Sequence, residues 1–274
     1  MKSKKMIKLM ALFLCVADVC ICHAQIGNKS NENKQSIVVA TWNIGHFSIG
    51  KKDHSLVSPS ECAKKTKEYR YFIYDSIKAD VLCLNEYESE FCNDSVSGIV
   101  TAEDAIFDDY LIHRVYKKNR YICNAIFSNI SLKNSRRKPY YYSKEQKAQI
   151  SRIDWYYYVS AELLIGGEKV VIVCTHFVNG TGKFQISRQN QIDELIKFCS
   201  QFKRVIICGD LNTRNYSSFK KAGYSLANDG SFVTFPGTSS SIDNIMVKGL
   251  KISDVRILKT NLSDHYPLRC KITL

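Results

Sequence analysis

The chain has 274 residues, 45% of them hydrophobic, and a formal net charge of +13. Its length is ample for one large α/β domain with a substantial core. The excess of positive charge favours anionic partners such as nucleic acids, phospholipid headgroups or other phosphates. Beyond the first two dozen residues no segment is long and apolar enough to cross a bilayer as a helix, so the processed chain is expected to be soluble.

The N-terminus has the order of segments that is typical of an export signal. Four lysines within the first eight residues precede an apolar run over residues 10–22, and Cys22 and Ala24 are small residues at the positions that a signal peptidase reads. We therefore predict a signal peptide over residues 1–24, a disordered polar lead-in over 25–35 and a folded domain over 36–274. A buried N-terminal helix is the alternative. The processed protein is expected to be secreted or periplasmic, without a stable membrane anchor, and monomeric.

The leader carries four lysines and one aspartate, so the processed chain keeps a net charge of +10 out of the total of +13. It also keeps eight of the eleven cysteines, because three lie in the leader. Cys83, Cys174 and Cys208 lie in apolar, strand-like runs, where a free cysteine behaves as a small hydrophobic residue. Cys62 and Cys92 flank more polar loops and are the better candidates for a disulfide, and we expect one or two disulfides at most.

Strand-like and helical patterns alternate along the rest of the chain, without internal repeats or a linker. Short apolar runs and a Gly-Gly turn predict strands, and apolar residues at helical spacing predict helices. The pattern indicates one α/β domain with two sheets, because many strands are paired as local hairpins. Predicted strands cover residues 36–42, 81–84, 111–116, 125–127, 156–165, 169–175, 205–208, 242–247, 250–258 and 266–274, and predicted helices cover 61–79 and 185–202.

The stretch from Lys133 to Arg152 is strongly basic. It contains seven lysines and arginines against one acid, Glu145, interleaved with the tyrosines at 140–142. Two interpretations are equally open: a solvated basic loop, or a segment that contacts phosphate.

Polar side chains follow the apolar runs at the points where strands are expected to end. Alone, each would be a turn cap or a solvated residue, but converging strands can bring such ends to one edge of a sheet sandwich. Several carboxylates and histidines gathered there need a cation or a phosphate to join them. Carboxylate and amide ligands suit Mg²⁺, or Mn²⁺, rather than Zn²⁺. These residues are Asn43, Glu86, His176 and Asp210, together with Asp264 and His265 just before the last run.

The same residues lie in six short motifs that occur in the order found in the endonuclease/exonuclease/phosphatase (DNase I-like) superfamily, which the chain resembles over roughly residues 36–273. The resemblance implies a four-layer α/β/β/α sandwich of two mostly antiparallel sheets. It also implies that Glu86 is the main metal ligand, helped by Asn43 and Asp264. The motifs are Thr-Trp-Asn43-Ile, Leu-Asn-Glu86, Thr-His176-Phe, Gly-Asp210-Leu-Asn212, Ser-Ile-Asp243-Asn-Ile and Ser-Asp264-His265.

The resemblance further implies catalytic roles. Asp210 would orient and deprotonate the attacking water, and Asn212 would hold that water or a phosphate oxygen. His265, polarised by Asp243, would bind the scissile phosphate and stabilise or protonate it in the transition state, and His176 would be a second phosphate-facing histidine. Such electrostatic help is what attack on an anionic phosphodiester requires.

Two departures from the family bear on the substrate. The family commonly has Arg-Ile-Asp-Tyr where this chain has Ser241-Ile-Asp-Asn244, which removes a positive charge. The central tyrosine or arginine that contacts phosphate has three candidates here, Arg152, Tyr156 and Tyr157.

The sequence therefore predicts an exported, Mg²⁺-dependent phosphoesterase that hydrolyses a phosphodiester, with nucleic acid as the expected substrate. The alternative is a phosphatase or phospholipid phosphodiesterase acting on an inositol phosphate or a sphingomyelin-like headgroup. A catalytically silent binding protein that kept the fold is the third hypothesis.

Overall fold

The computed structural model describes residues 34–45, 64, 67–87, 106–117, 120–149 and 156–274, of which the side chains of 114–122 and 149 are not described. The predicted signal peptide, most of the predicted lead-in and the residues Cys62, Cys92 and Arg152 lie outside this part. The predictions that concern them remain predictions.

The described part of the chain contains twelve strands. In chain order they are β1 (Ser36–Asn43), β2 (Val81–Tyr87), β3 (Asp109–Lys117), β4 (Arg120–Ser128), β5 (Lys133–Pro139), β6 (Tyr157–Ile165), β7 (Glu168–His176), β8 (Val205–Asp210), β9 (Ser225–Leu226), β10 (Asp243–Lys248), β11 (Lys251–Ile257) and β12 (Leu268–Thr273).

Helices connect the strands and cover their outer faces. They are α1 (Phe72–Ile77, a π-type segment), α2 (Lys144–Gln149), α3 (Lys183–Cys199), α4 (Ser217–Lys221) and a single 3₁₀ turn (Pro236–Thr238). The helix predicted over 61–79 is helical at residues 67–77 and ends at Lys78, which adopts a left-handed conformation with φ of 46°. None of the described helices has the length and apolarity needed to cross a bilayer.

The strands form two six-stranded sheets. The first has the order β11-β12-β1-β2-β4-β3 and the second β5-β6-β7-β8-β10-β9. Each sheet contains one parallel pair at its centre, β1–β2 or β7–β8, and its other pairs are antiparallel. The predicted fold, two mostly antiparallel sheets in an α/β sandwich, is confirmed.

Three apolar clusters hold the layers together. One fills the space between the sheets, one packs α1 and its preceding turns on the first sheet, and one packs α3 and α4 on the second. Cys83, Cys174 and Cys208 are free thiols in the cluster between the sheets, as their apolar surroundings predicted.

The basic stretch that begins at Lys133 differs from a simple solvated loop. Its first part is β5, an edge strand paired with β6, and its later part includes the short helix α2. Lysine and arginine are suited to an edge strand, because charged side chains discourage pairing with another chain. Backbone pairing with β6 therefore orders a segment whose side chains are polar.

Strand register brings polar side chains to one level at the same end of both sheets. In the first sheet Asn43 lies opposite Asn85, and His113 lies opposite Asn124. In the second sheet Asp210 lies between His176 and Asp243. Because side chains alternate between the two faces of a strand, these residues lie on the same inner face as the apolar core beneath them. The two polar rows face each other across the sandwich.

Candidate active site

The centre of the site is Asp210, the last residue of β8. It is 2% exposed and lies between His176 on β7 and Asp243 on β10. The preceding residue, Gly209, has φ of 143°, and a Cβ there would lie 1.8 Å from the carbonyl oxygen of Thr175. Only glycine allows β8 to approach β7 this closely, so Gly209 sets the position of the Asp210 carboxylate.

Two asparagines of the first sheet hold Asp210 from the opposite side. The Nδ2 of Asn43 donates to Asp210 Oδ2 at 3.1 Å, and Asn85 Oδ1 accepts the Asp210 backbone N–H at 2.8 Å. Asn85 Nδ2 also donates to Asn124 Oδ1 and to the Thr175 carbonyl, at 2.9 and 3.0 Å. The amide of Asn85 is fully buried and joins the two sheets directly beneath the site.

Glu86 follows Asn85 but does not continue the regular strand. Its φ is 53°, and the pairing between β2 and β4 is interrupted between Leu84 and Tyr87. A bulge of this kind re-aims side chains, and here it accompanies a Glu86 carboxylate that is 27% exposed and lies 4.0 Å from His176 Nδ1. His176 Nε2 lies 3.5 Å from Asp210 Oδ2, so the imidazole stands between the two carboxylates.

His265 comes from the loop before β12 and is held by β1. The indole N–H of Trp42 donates to the His265 carbonyl at 3.0 Å, and Ser263 Oγ donates to the Asn43 carbonyl at 2.6 Å. The ring of Phe235 packs on the imidazole with a centroid distance of 4.7 Å. These contacts fix the backbone and the ring plane of His265.

The His265 imidazole joins the two buried aspartates. Its Nδ1 is 2.8 Å from Asp243 Oδ2, and its Nε2 is 3.8 Å from Asp210 Oδ2. Asp243 is itself fixed, because Thr234 Oγ1 accepts the backbone N–H groups of Ile242 and Asp243 at 3.1 Å each. With Asp243 accepting from Nδ1–H, His265 presents Nε2 toward Asp210.

Burial and charge determine the protonation of these groups. Burial by itself lowers the pKa of His265, but the charges of Asp243, Asp210 and Asp264 outweigh it and raise that pKa to about 10. Burial, followed by the charge of Asp243, raises the pKa of Asp210, while His176 and His265 lower it in part. At neutral pH His265 is therefore an imidazolium, held against two buried carboxylates.

Asn212 is oriented by the strand ends around it. Its backbone N–H donates to Asp210 Oδ1 at 2.9 Å, and its Nδ2 donates to the Phe177 carbonyl at 2.9 Å. Its φ of 48° places it in the left-handed region, which asparagine tolerates better than most residues. Asp264 is exposed and lies next to His265, with Oδ1 3.4 Å from Ser263 Oγ.

The structure thus brings together all eight residues predicted for catalysis and metal binding. They come from the ends of six strands and the loops that follow or precede them: Asn43, Glu86, His176, Asp210, Asn212, Asp243, Asp264 and His265.

The predicted substrate-binding residues Tyr156 and Tyr157 lie in different parts of the structure. The ring of Tyr156 packs edge-on against His176, with centroids 6.1 Å apart, so Tyr156 lies at the site. Tyr157 is 2% exposed, and its hydroxyl donates to the His113 carbonyl at 2.6 Å, between the sheets. The alternation of side chains along β6 turns Tyr157 inward, which corrects its prediction as a substrate contact.

Asn85 is the residue whose importance sequence reasoning missed, and the hydrogen bonds by which Thr234 fixes Asp243 emerge only from the structure. Asn85 was read only as the neighbour of Glu86, and nothing in a single sequence distinguishes an asparagine that joins two sheets from one that caps a turn. Thr234 lies nine residues before Asp243, and its contact with that strand depends on the path of the intervening loop.

The side chains offer a donor set that fits a hard divalent cation. The carboxylates of Asp210 and Asp243 lie close together beside His265, with polar atoms of the three residues within 4.8 Å of one another, and Asp243 Oδ1 is buried without a hydrogen-bond partner among the described residues. Asn43, Glu86 and Asp264 add amide and carboxylate oxygens at the adjacent edge. Buried carboxylates that outnumber their cationic neighbours create a demand for positive charge.

Comparisons with known proteins agree with this architecture. No protein-family profile matches the chain. A UPF0294 protein of Vibrio vulnificus is 30% identical over 124 residues, which is 42% of this chain and 43% of that protein, so the match spans less than half of the relative.

Solved structures match far more of the chain. An endonuclease/exonuclease/phosphatase from Beutenbergia cavernae superposes with a TM-score of 0.64 at 13% identity, covering 88% of this chain and 72% of that one. D. rerio TDP2 complexed with a single-strand DNA product superposes with a TM-score of 0.63 at 12% identity, covering 88% of this chain and all of that one. The protein therefore has the fold of the endonuclease/exonuclease/phosphatase, or DNase I-like, superfamily, with a buried acidic and histidine cluster at its strand ends.

Proposed function

We propose that the protein is an exported, Mg²⁺-dependent phosphodiesterase that hydrolyses nucleic acid. The observation that carries the proposal is the convergence of Glu86, His176, Asp210, Asp243 and His265 at one end of the sandwich, through contacts of 2.8 to 4.0 Å. Such a cluster can supply a base that deprotonates the attacking water and a cationic side chain that faces the phosphate.

Asp210 is the group suited to activate water. Its two oxygens are fixed, because Oδ1 accepts the Asn212 N–H and Oδ2 accepts the Asn43 amide. Burial raises its pKa, which makes the carboxylate a stronger base than an exposed aspartate. Asp210 would orient a water molecule and take its proton as that water attacks phosphorus, with Asn212 steering the water or a phosphate oxygen.

His265 is the group suited to meet negative charge on the phosphate. Its imidazolium is held by Asp243 through Nδ1, so Nε2–H is left to donate toward a phosphoryl oxygen or the leaving group. His176 can face the phosphate from the other side of Asp210. Donors that are preorganised in this way stabilise the charge that develops in the transition state.

Asn43, Glu86 and Asp264 would hold Mg²⁺ through their oxygens, and the ion, when bound, would neutralise phosphate charge and polarise the ester. Mn²⁺ fits the same ligands. The remaining members of the cluster, Asp210, Asp243 and His265, are already engaged with one another.

Nucleic acid is favoured over other phosphate esters by charge and by surface. The processed chain keeps a net charge of +10 out of +13, and β5 carries three exposed basic residues at the sheet edge, Lys133, Arg136 and Lys138. The DNA-bound TDP2 structure is consistent with this choice of substrate. Export is proposed from the predicted signal peptide over residues 1–24.

A substrate panel tests the proposal. Purified processed protein is incubated with plasmid, single-stranded DNA and RNA, and in parallel with inositol phosphates and sphingomyelin, each with Mg²⁺ and with a chelator. We expect Mg²⁺-dependent cleavage of nucleic acid. Release of phosphate or phosphocholine alone would replace the nuclease assignment with the phosphatase or phospholipid alternative, and inertness throughout would favour a silent binding protein.

A further inference from the structure

We propose that Tyr141 is a stacking platform for an unpaired base, which makes single-stranded nucleic acid the preferred substrate of the site described above; this inference rests on the proposed function. Tyr141 is 79% exposed, the highest exposure of any large hydrophobic side chain in the described part of the chain. The exposed ring needs an explanation, because the tyrosines on either side of it are buried.

The segment that carries Tyr141 is firmly anchored. Tyr140 and Tyr142 are each 4% exposed. The Tyr140 hydroxyl is 2.7 Å from Thr175 Oγ1, and the Tyr142 hydroxyl accepts Gln191 Nε2 at 2.7 Å. The Tyr141 N–H itself donates to Glu194 Oε2 at 2.8 Å. The ring therefore projects into solvent from a fixed base, and a ligand that stacks on it would have little ordering cost to overcome.

Contacts connect this segment with the active site. The Tyr140 N–H donates to the Tyr156 carbonyl at 3.3 Å, and the Tyr156 ring packs on His176. On the other side, Gln191 Oε1 accepts the Val178 N–H at 2.9 Å, in the loop that follows His176. The neighbours of Tyr141 thus connect it to the two residues beside the phosphate-facing histidine: Tyr140 to Tyr156, and Tyr142 through Gln191 to Val178.

The surroundings of Tyr141 select a polyanion rather than an apolar partner. Lys138, Lys144 and Lys147 are exposed on the same segment, and Glu145 is its only acid between Lys133 and Lys147. Lys138 is paired with Glu194 at 3.1 Å. A single aromatic ring among lysines matches the combination of stacking surface and positive charge that binds single strands. A duplex keeps its base faces covered, so it cannot use the ring.

The test compares three variants in a His265→Ala background, in which substrate is bound but slowly cleaved. Fluorescence anisotropy measures the Kd for a labelled oligothymidylate and for a blunt-ended duplex of equal charge, which has no unpaired bases. We expect Tyr141→Ala to weaken single-strand binding about tenfold, because the loss of one base–aromatic stacking contact has an effect of that size. Tyr141→Trp should retain the affinity. Tyr74→Ala is the matched control, because Tyr74 is 67% exposed on α1, remote from the strand-end site.

Hydrolysis of bis(p-nitrophenyl) phosphate separates this inference from the proposed function. In the His265-containing protein, Tyr141→Ala should leave this small diester unaffected while raising KM for the oligonucleotide. A parent protein inactive on both substrates would defeat the proposed function. An active parent whose single-strand affinity changes by less than about twofold in Tyr141→Ala, or weakens equally for the duplex, would overturn the stacking role.

Discussion

The pairing of His265 with Asp243 is the contact on which catalysis should depend most. Replacing His265 with Ala removes the cation that faces the phosphate, and Asp243→Asn removes the charge that keeps it protonated. We expect His265→Ala to lower kcat about 100-fold or more, because electrostatic and acid–base roles of this kind have that magnitude. Steady-state rates on the cleaved substrate provide the measurement. Unchanged activity in His265→Ala or in Asp210→Ala would contradict the mechanism.

His113 should make the protein sensitive to acid. It is 1% exposed on β3, and neither ring nitrogen has a hydrogen-bond partner among the described residues. Burial, then the charge of Arg137, lowers its pKa to about 3. The folded state therefore keeps His113 neutral while the unfolded chain binds a proton near 6.5. The contribution of neutral His113 to the free energy of unfolding is fully present above about pH 6.5 and is lost as the pH falls toward the pKa of the folded state.

The substitution His113→Phe tests this effect, because phenylalanine can keep the edge-on packing against Tyr157 at 5.3 Å and cannot be protonated. Urea unfolding at about pH 7 and about pH 4.5 should show that the wild type loses about 2.5 kcal/mol more than the variant on acidification. An equal loss of unfolding free energy in the wild type and the variant would show that other groups cause the acid sensitivity.

At the scale of elements, Asn85 is the link between the two sheets beneath the site. Asn85→Leu keeps the branched shape and the number of heavy atoms but leaves the Asp210 N–H without its acceptor, so we expect kcat to fall about tenfold with little change in KM. Thr41→Val is the control, because Thr41 is equally buried in the neighbouring strand and its hydroxyl has no partner among the described residues.

A double-mutant comparison tests whether Asn85 affects kcat through the position of Asp210. If Asn85 acts by placing Asp210, Asn85→Leu should cost much less in an Asp210→Ala background than in the wild type. An equal cost in both backgrounds, or an equal cost in Thr41→Val, would indicate a general loss of packing instead.

Elements whose apolar residues repeat with a single regular spacing were predictable from the sequence. Elements that form only through pairing with a distant strand were not. The apolar run at 205–208 and the Gly-Gly hairpin between β6 and β7 carry their own signals. The strand β5 does not, because its Lys, Asn, Ser and Arg residues have weak strand propensity and are ordered by pairing with β6. The inward position of Tyr157 likewise depends on the register in which β6 pairs with its neighbouring strands.

For the whole molecule, Mg²⁺ should stabilise the folded state. A ligand that binds only the native protein adds about 2.7 kcal/mol at roughly one hundred times its Kd. We expect the melting temperature to rise with Mg²⁺ concentration and the rise to be strongly reduced in Glu86→Gln, whose uncharged side chain is a poorer ligand. Glu168→Gln serves as a control for general charge effects, since Glu168 is an exposed acid at the start of β7, at the opposite end of that strand from His176. A rise that Glu86→Gln preserves would place the ion elsewhere.

The candidate site was predictable to the extent that its motifs lie at strand ends, and its detailed geometry was not. Order along the chain indicated which side chains would meet, but the bulge at Glu86, the buried amide of Asn85 and the close approach at Gly209 all depend on strands distant in sequence. Such features arise only when both sheets are in place.

The position of β12 has a consequence for how activity is acquired. This strand, the last along the chain, is inserted between β11 and β1, and the turn leading into it delivers His265 to Asp243. A newly made polypeptide that has not yet docked this segment would lack the imidazolium, whatever else had already folded. Under the proposed mechanism, hydrolytic activity should therefore appear only after β12 has docked beside β1 and brought His265 to Asp243.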